Sequence, residues 1–346
     1  MFNNWINIHD LAKLAEKVSQ NGGFWLKTRL LAERRQRVAS SWSHTTTPTG
    51  SVWEIPALRR RWNQLVTGNP DQDHVGYISR KHLKKRYRLI ALSPGCGGGD
   101  NELNWARTGR FRRIDAFDLS PQRIQAAREK ARIQKLNHIV RFSVGDITTV
   151  ASRRERYDLI LFEGALHHFT PVKRILSETS GMLKSDGLLV INEFVGPSRF
   201  QWTRCQLRVA NALLALLPDF YRRKTNGRIK KGIYRPGQLA MRLLDPSEAA
   251  DSSSIMPCLK EMFEILEIKQ KGGTILNLLF HGIAHHFQKP DETAQAFLEL
   301  SFTAEDLLLR SKQIASDYVV AVCRPRPGRG TRLKKSPHWF KMKAGT

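Results

Sequence analysis

Residues 88–100 read Arg88-Leu-Ile-Ala-Leu-Ser-Pro-Gly-Cys-Gly-Gly-Gly-Asp100: an apolar run, a glycine-rich turn and the start of a helical pattern. A short apolar run bounded by turn residues predicts a buried strand. Gly95, Gly97 and Gly99 let a ligand approach the backbone closely, and the N-terminus of the following helix favours an anion or carboxylate. Glycine turns also join strands to helices where nothing binds, so the chemistry has to come from the neighbours. Asp118 is such a neighbour: 23 residues after Gly95, at the tip of the next strand-like run, its carboxylate is placed to accept two hydroxyls of a ribose. The plainer role for Asp118 is to cap the helix that follows.

Outward from this turn the pattern alternates. Strand-like runs at 113–118, 139–144, 157–162 and 188–194 are separated by helical runs at 122–136 and 171–183, with Ser120-Pro121 as a helix start and Lys184-Ser-Asp-Gly187 as a turn. Residues 263–269 and 318–323 read as two last strands. This alternation predicts an α/β fold, a Rossmann-like seven-stranded mostly parallel sheet with helices on both faces. Three regions follow: an N-terminal helical cap over 1–87, the main domain over 88–323 with a helical lid insertion at 196–262, and a basic disordered tail over 324–346. Within the cap, helices are expected at 9–19, 24–38 and 53–66, the last with Pro56 in its first turn and Gly68-Asn69-Pro70 closing it.

Bulk properties narrow the class. With 346 residues, 41% of them hydrophobic, the chain can bury a large core without staples. Cys96, Cys205, Cys258 and Cys323 lie far apart with no C-x-x-C spacing, which argues against a disulfide framework or a zinc site and for a reducing, cytoplasmic setting. The strongest apolar run, 210–217, stops at Pro218 and is too short to span a membrane. The net charge of +26 gathers in runs, six Lys/Arg within 80–88, six within 222–231 and eight within 324–346. Those runs would attract nucleic acid or an anionic membrane; solvated faces and a basic tail explain them more simply, since no basic-aromatic motif repeats.

In its motifs the chain resembles the class I S-adenosylmethionine-dependent methyltransferases. The resemblance runs over 88–194: Leu92-Ser-Pro-Gly-Cys-Gly-Gly-Gly99, Phe117-Asp-Leu-Ser-Pro121, Val144-Gly-Asp-Ile147, Leu161-Phe-Glu-Gly-Ala-Leu-His-His-Phe169 with its "LHH" form, and Lys184-Ser-Asp-Gly-Leu-Leu-Val190. It implies S-adenosylmethionine as cofactor, with Gly95, Cys96 and Gly97 along the methionine part and Asp118 on the ribose. It also implies Leu119 against adenine, Asp146 on the exocyclic amine, Ile147 as a backbone contact, and Glu163 and Gly164 beside the sulfonium. The family often has an acid two residues before the first glycine; here Ser93 stands there, keeping a hydrogen-bonding group but not the charge. A nicotinamide-binding domain would want a third glycine where Asp100 stands, and it explains neither Gly145-Asp146 nor the paired histidines.

An activated methyl group needs an aligned nucleophile and, for many acceptors, a base. His167 and His168 follow the fourth strand and are the first candidates, with packing against the sheet as the alternative for at least one of them; Glu193 is the second. No metal ligand set is expected, and His281, His285 and His286 read as surface or lid residues. The insertion, with Trp202, Tyr221, Tyr234 and a capping-box-like Asp245-Pro-Ser-Glu248, is expected to close over the cofactor. The resemblance implies a small-molecule, glycan or lipid acceptor. An RNA methyltransferase using the basic runs and a non-catalytic cofactor-fold protein are the alternatives, and oligomeric state is open.

Overall fold

The computed structural model describes Trp5, Asn7, Asp10 and residues 51–147 and 156–326. The helices expected at 9–19 and 24–38 and the tail beyond Arg326 lie outside the described residues. Seven strands form one sheet: β1 Leu89–Pro94, β2 Phe111–Asp118, β3 Val140–Val144, β4 Tyr157–Glu163, β5 Leu183–Phe194, β6 Phe263–Gly272 and β7 Tyr318–Pro325. Their order is β3-β2-β1-β4-β5-β7-β6. The first five pair in parallel, while β7 runs antiparallel to both β5 and β6. The mostly parallel Rossmann-like sheet expected from the alternation is the observed one.

Period-two alternation distributes side chains to two cores. Leu89, Ala91, Leu159 and Leu161 face one cluster, while Ile90, Leu92, Ile160 and Phe162 face the other. Every residue of β1 is buried, as a central parallel strand covered by helices on both faces requires. On the first face lie α1 Pro56–Thr67 and α2 His74–Lys81 through Val66, Val75 and Ile78, α3 Asp100–Arg107 through Leu103 and Trp105, and α4 Pro121–Ile133 through Ile124 and Ala127. On the second lie α5 Val172–Met182 and α9 Ile255–Met262, through Val172, Leu176, Ile255 and Leu259. Helix ends follow local chemistry: Gly68 at φ +79 closes α1, and Ser120 accepts the Arg123 N–H at the start of α4.

Boundaries moved where the sheet overrode local pattern. The turn read at 184–187 lies inside β5, which begins at Leu183 directly after α5; Tyr157 pairs with Leu183 and Leu159 with Leu188, so these residues form an irregularity in the strand.

A third apolar cluster accounts for the insertion. It contains α6 Arg204–Leu216, α7 Asp219–Arg222, α10 Leu276–Phe280 and α11 Glu292–Arg310, contributing Leu213, Leu214, Leu279, Phe280 and Leu298 among others. Ile55, Leu58 and Trp62 join it from the N-terminal side, and α8 Gln238–Leu244 completes the helices of the insertion. Helices from both sides of β6 therefore share one core. Asp10 accepts the Gly237 N–H at 2.6 Å and Leu239 N–H donates to the Trp5 carbonyl, which ties the beginning of the chain to this layer.

Strand order reverses between β1 and β4, which places a crevice at their C-terminal ends. Gly99, at φ +80, starts α3 there, and a Cβ on it would stand 2.6 Å from Phe142 Cζ and 2.9 Å from Ala127 Cβ. Gly99→Ala is therefore expected to cost at least about 2 kcal/mol, from backbone strain and overpacking together. Urea titration would show it as a lowered midpoint with an unchanged slope.

Candidate active site

The crevice is a cavity of about 870 Å³, within the size range of ligand and cofactor sites. Gly95, Asp118, Leu119, Asp146, Ile147, Glu163 and Gly164 line one part of it; His167, His168, Phe194, Phe200, Glu248 and Tyr318 line another. The glycine loop works differently from the simplest reading. Gly95 and Cys96 N–H groups both donate to the Phe117 carbonyl, at 2.8 and 3.1 Å, and the Gly97 N–H donates to Asp118 at 3.0 Å. At these three positions the loop supplies room rather than donors. A Cβ on Gly95 would press to 3.0 Å from Ala165 Cβ, with φ at +73.

The helix that follows is capped by Ser120 and not by Asp118, whose carboxylate binds the loop on either side of it. One oxygen accepts from Gly97 N–H and the other from Ser120 N–H at 2.8 Å. A carboxylate has about four acceptor directions, so each oxygen retains capacity for a hydroxyl on the cavity side. Arg123, from the first turn of α4, lines the cavity beside it, and burial holds its guanidinium below the usual value against the pull of Asp118.

Ser93 lies behind the cavity wall. Its side chain is 1% exposed, turned into the core, and its hydroxyl donates to Glu102 Oε1 at 2.6 Å rather than reaching the cavity. Burial pushes the Glu102 carboxyl up to about 8, so near neutral pH it is mostly protonated. Glu102 stands in the first turn of α3 and does not line the cavity. Cys96 and Gly97 also stand outside the cavity lining, Cys96 as a buried thiol raised well above its ordinary value by burial.

Glu163, at the end of β4, has a 2%-exposed side chain held by three donors. His74 Nε2 lies 3.0 Å from both oxygens, Trp105 Nε1–H donates at 2.8 Å and Asn192 Nδ2–H at 3.0 Å. Burial alone would raise its pKa, but these donors, His74 foremost, outweigh it and hold the carboxylate below the usual range. The network continues to Lys271 Nζ, which donates to Asn192 Oδ1 at 2.9 Å and lies over the rings of Trp53 and Trp62. Burial brings that ammonium down to about 8.

Glu193, at the end of β5, also lies behind the cavity wall. Its side chain is fully buried, one oxygen accepting the Ala165 and Leu166 N–H groups at 2.6 Å each, the other 2.7 Å from His167 Nδ1. It stands behind His167 and does not line the cavity. Burial would lower the His167 pKa, but the Glu193 charge and hydrogen bond outweigh it and leave it raised. His168 goes the other way, pushed well below its ordinary value by burial and by the neighbouring His167. Two adjacent imidazoles are thereby driven apart, the pattern that separates proton-handling roles.

Glu248 was not singled out as a site residue. Asp245 accepts the Ser247 and Glu248 N–H groups in a local turn, and this aims Glu248 at the histidines, its oxygens 3.8 Å from His167 Nε2 and 3.9 Å from His168 Nδ1. Burial raises its carboxyl to about 7. Ligand atoms of His167, His168 and Glu248 all lie within 4.8 Å of one another, a set of donors of the kind that holds a divalent cation, where the sequence suggested none. The capping box expected near Asp245 is found at Thr203 and Gln206, at the start of α6.

The insertion reaches the cavity through other residues than the three aromatics expected. Trp202 stacks on Phe200 at 5.2 Å, Tyr221 donates to Asp291 at 2.6 Å, and Tyr234 is 47% exposed; none lines the cavity, whereas Phe200, Ser247 and Glu248 do. Trp53, His74, Asn192 and Tyr318 had no signal in sequence, because they come from distant segments and carry no motif. His286 Nε2–H donates to the Arg223 carbonyl at 2.8 Å. Among the described residues no helix is long and apolar enough to cross a membrane.

A family model described as a methyltransferase domain matches residues 92–191. Over 104 residues the chain is 25% identical to erythromycin 3''-O-methyltransferase of Saccharopolyspora erythraea, covering 30% of this chain and 34% of that protein. Over 109 residues it is 31% identical to demethylmenaquinone methyltransferase of Bacteroides fragilis, covering 32% of this chain and 44% of that one. The chain thus spans less than half the length of either relative. Among solved structures it is similar to a geranyl diphosphate C-methyltransferase from Streptomyces coelicolor, with 12% identity, 86% of this chain, 99% of that chain and a TM-score of 0.48. It is also similar to the [4+2]-cyclase SpnF, with 17% identity, 81% of this chain, 99% of that chain and a TM-score of 0.44.

Proposed function

We propose that this chain, whose residues 92–191 match a family model described as a methyltransferase domain, transfers a methyl group from S-adenosylmethionine to a small-molecule, glycan or lipid acceptor. The observation that carries the reading is one continuous cavity joining Asp118 and Asp146 to His167, which Glu193 backs from behind, walled on the other side by Phe194, Phe200 and Tyr318. An aromatic chamber of this size suits an enclosed acceptor better than an RNA strand.

When bound, S-adenosylmethionine supplies an electrophilic methyl on a sulfonium. The chain's residues do the rest. Asp118 would hold the ribose hydroxyls, Leu119 would lie against the adenine with Asp146 at its amine and Ile147 as a backbone contact, and the Gly95 turn would leave space for the methionine part. Glu163 places a fixed negative charge at the cavity wall, complementary to a cationic centre. His167 donates Nδ1–H to Glu193 and presents Nε2 to the cavity, where it takes the proton of an acceptor hydroxyl or activated carbon.

Incubation of the protein with isotopically methyl-labelled cofactor and separate metabolite, lipid and RNA extracts tests the reading. Label is expected in a small or lipid fraction; label confined to RNA, or absent with no cofactor bound, would overturn it. Chelation separates the base from a metal. Activity is expected to survive EDTA, whereas loss with recovery on adding a divalent cation would reassign His167, His168 and Glu248 as its ligands.

A further inference from the structure

The tip of the helical insertion carries apolar and basic side chains that neither the cavity nor the core uses. Along α6, Arg204, Arg208, Ala212, Ala215 and Leu216 are exposed at helical spacings of three and four, so they share one outer face. The chain continues through exposed Pro218 and Phe220; Leu216 and Phe220 each remain 64% exposed. A hairpin-like turn follows, closed by Lys224 N–H to the Arg228 carbonyl and by the Arg223 and Ile229 bridge. It exposes Arg223, Lys224, Arg228 and Lys231. Across 204–231 the one acid is Asp219, already paired with Arg222. Lys230 is buried and donates to the Leu278, Leu279 and His281 carbonyls, which anchors the turn against α10.

We propose that this tip docks on an anionic phospholipid surface, Leu216 and Phe220 entering the headgroup boundary while the exposed cations on either side meet lipid phosphates. The pairing of apolar side chains with flanking Lys/Arg is what interfacial binding requires. A phosphate backbone in water would use the cations alone, leaving Leu216 and its alanine neighbours exposed to no benefit, so charge complementarity combined with aliphatic exposure favours lipid over RNA. In the run at 80–88, Lys81 and His82 bind Glu267, and Arg86 binds Asp186. This docking is independent of methyl transfer and is measured without it.

The full-length protein is sedimented with vesicles of phosphatidylcholine alone and with vesicles containing phosphatidylglycerol. Binding is expected to the second only. Leu216→Glu with Phe220→Glu should lower partitioning about 100-fold, at roughly tenfold for each inserted side chain. Arg223→Gln, Lys224→Gln and Arg228→Gln together should lower it by a similar factor, at about fivefold per cation. The second variant keeps the test open should the first fold poorly. Absence of binding to either vesicle would overturn the proposal. So would anionic binding unchanged in both variants, which would place the attraction elsewhere on a +26 chain. Tight binding of an RNA hairpin, lost in the cation variant while vesicle binding stays intact, would assign the tip to nucleic acid instead.

Discussion

His167→Ala is expected to lower kcat by about 10²–10⁴-fold while leaving S-adenosylmethionine affinity nearly unchanged, because the imidazole acts on the acceptor proton and the proposed ribose and adenine contacts follow β2 and β3. Isothermal calorimetry with the cofactor and a turnover assay, run on the same protein, would separate the two. Unchanged turnover would remove His167 as a base. The pH profile carries a second signature. The neutral imidazole is the active form, so rate falls as pH drops through its pKa, and the Glu193 carboxylate raises that pKa. The acidic limb is therefore expected above the ordinary histidine value. Glu193→Gln removes the charge that raises it, so the limb should move to lower pH even as kcat falls through lost orientation. A structural role for Glu193 would lower stability without moving the limb.

Asp118→Ala is expected to weaken cofactor binding by at least about 100-fold, through the loss of two charge-assisted hydrogen bonds to the ribose. The structure adds a local cost, since the same carboxylate accepts from the Gly97 and Ser120 N–H groups and so shapes the loop. Asp118→Asn, which keeps one oxygen acceptor and much of the loop, should lose less. Unchanged affinity in Asp118→Ala by calorimetry would sink the assignment of this cavity to S-adenosylmethionine.

The sequence by itself determined what depends on neighbours along the chain. Seven strands, the turn at Gly95, the cap at Ser120 and the carboxylate at Asp118 were all legible, because strand and helix periods, glycine conformations and capping groups act over a few residues. Which ends of those elements meet was decided in three dimensions. Ser93 and Glu193 carry suitable groups at suitable places in the chain, yet strand alternation turns Ser93 into the core onto Glu102, and burial commits Glu193 to two backbone N–H groups and His167. Glu248, by contrast, belongs to what read as a local capping turn and reaches the histidine pair from a chain distance of about eighty residues. Trp202, Tyr221 and Tyr234 looked like pocket aromatics because composition does not say which face of a helical layer points inward. That orientation is fixed by the shared core of α6, α10 and α11, which takes up Tyr221 and leaves Phe200 to face the cavity. A buried contact between distant segments is stabilised by desolvation and close packing, quantities that exist only once those segments are brought together.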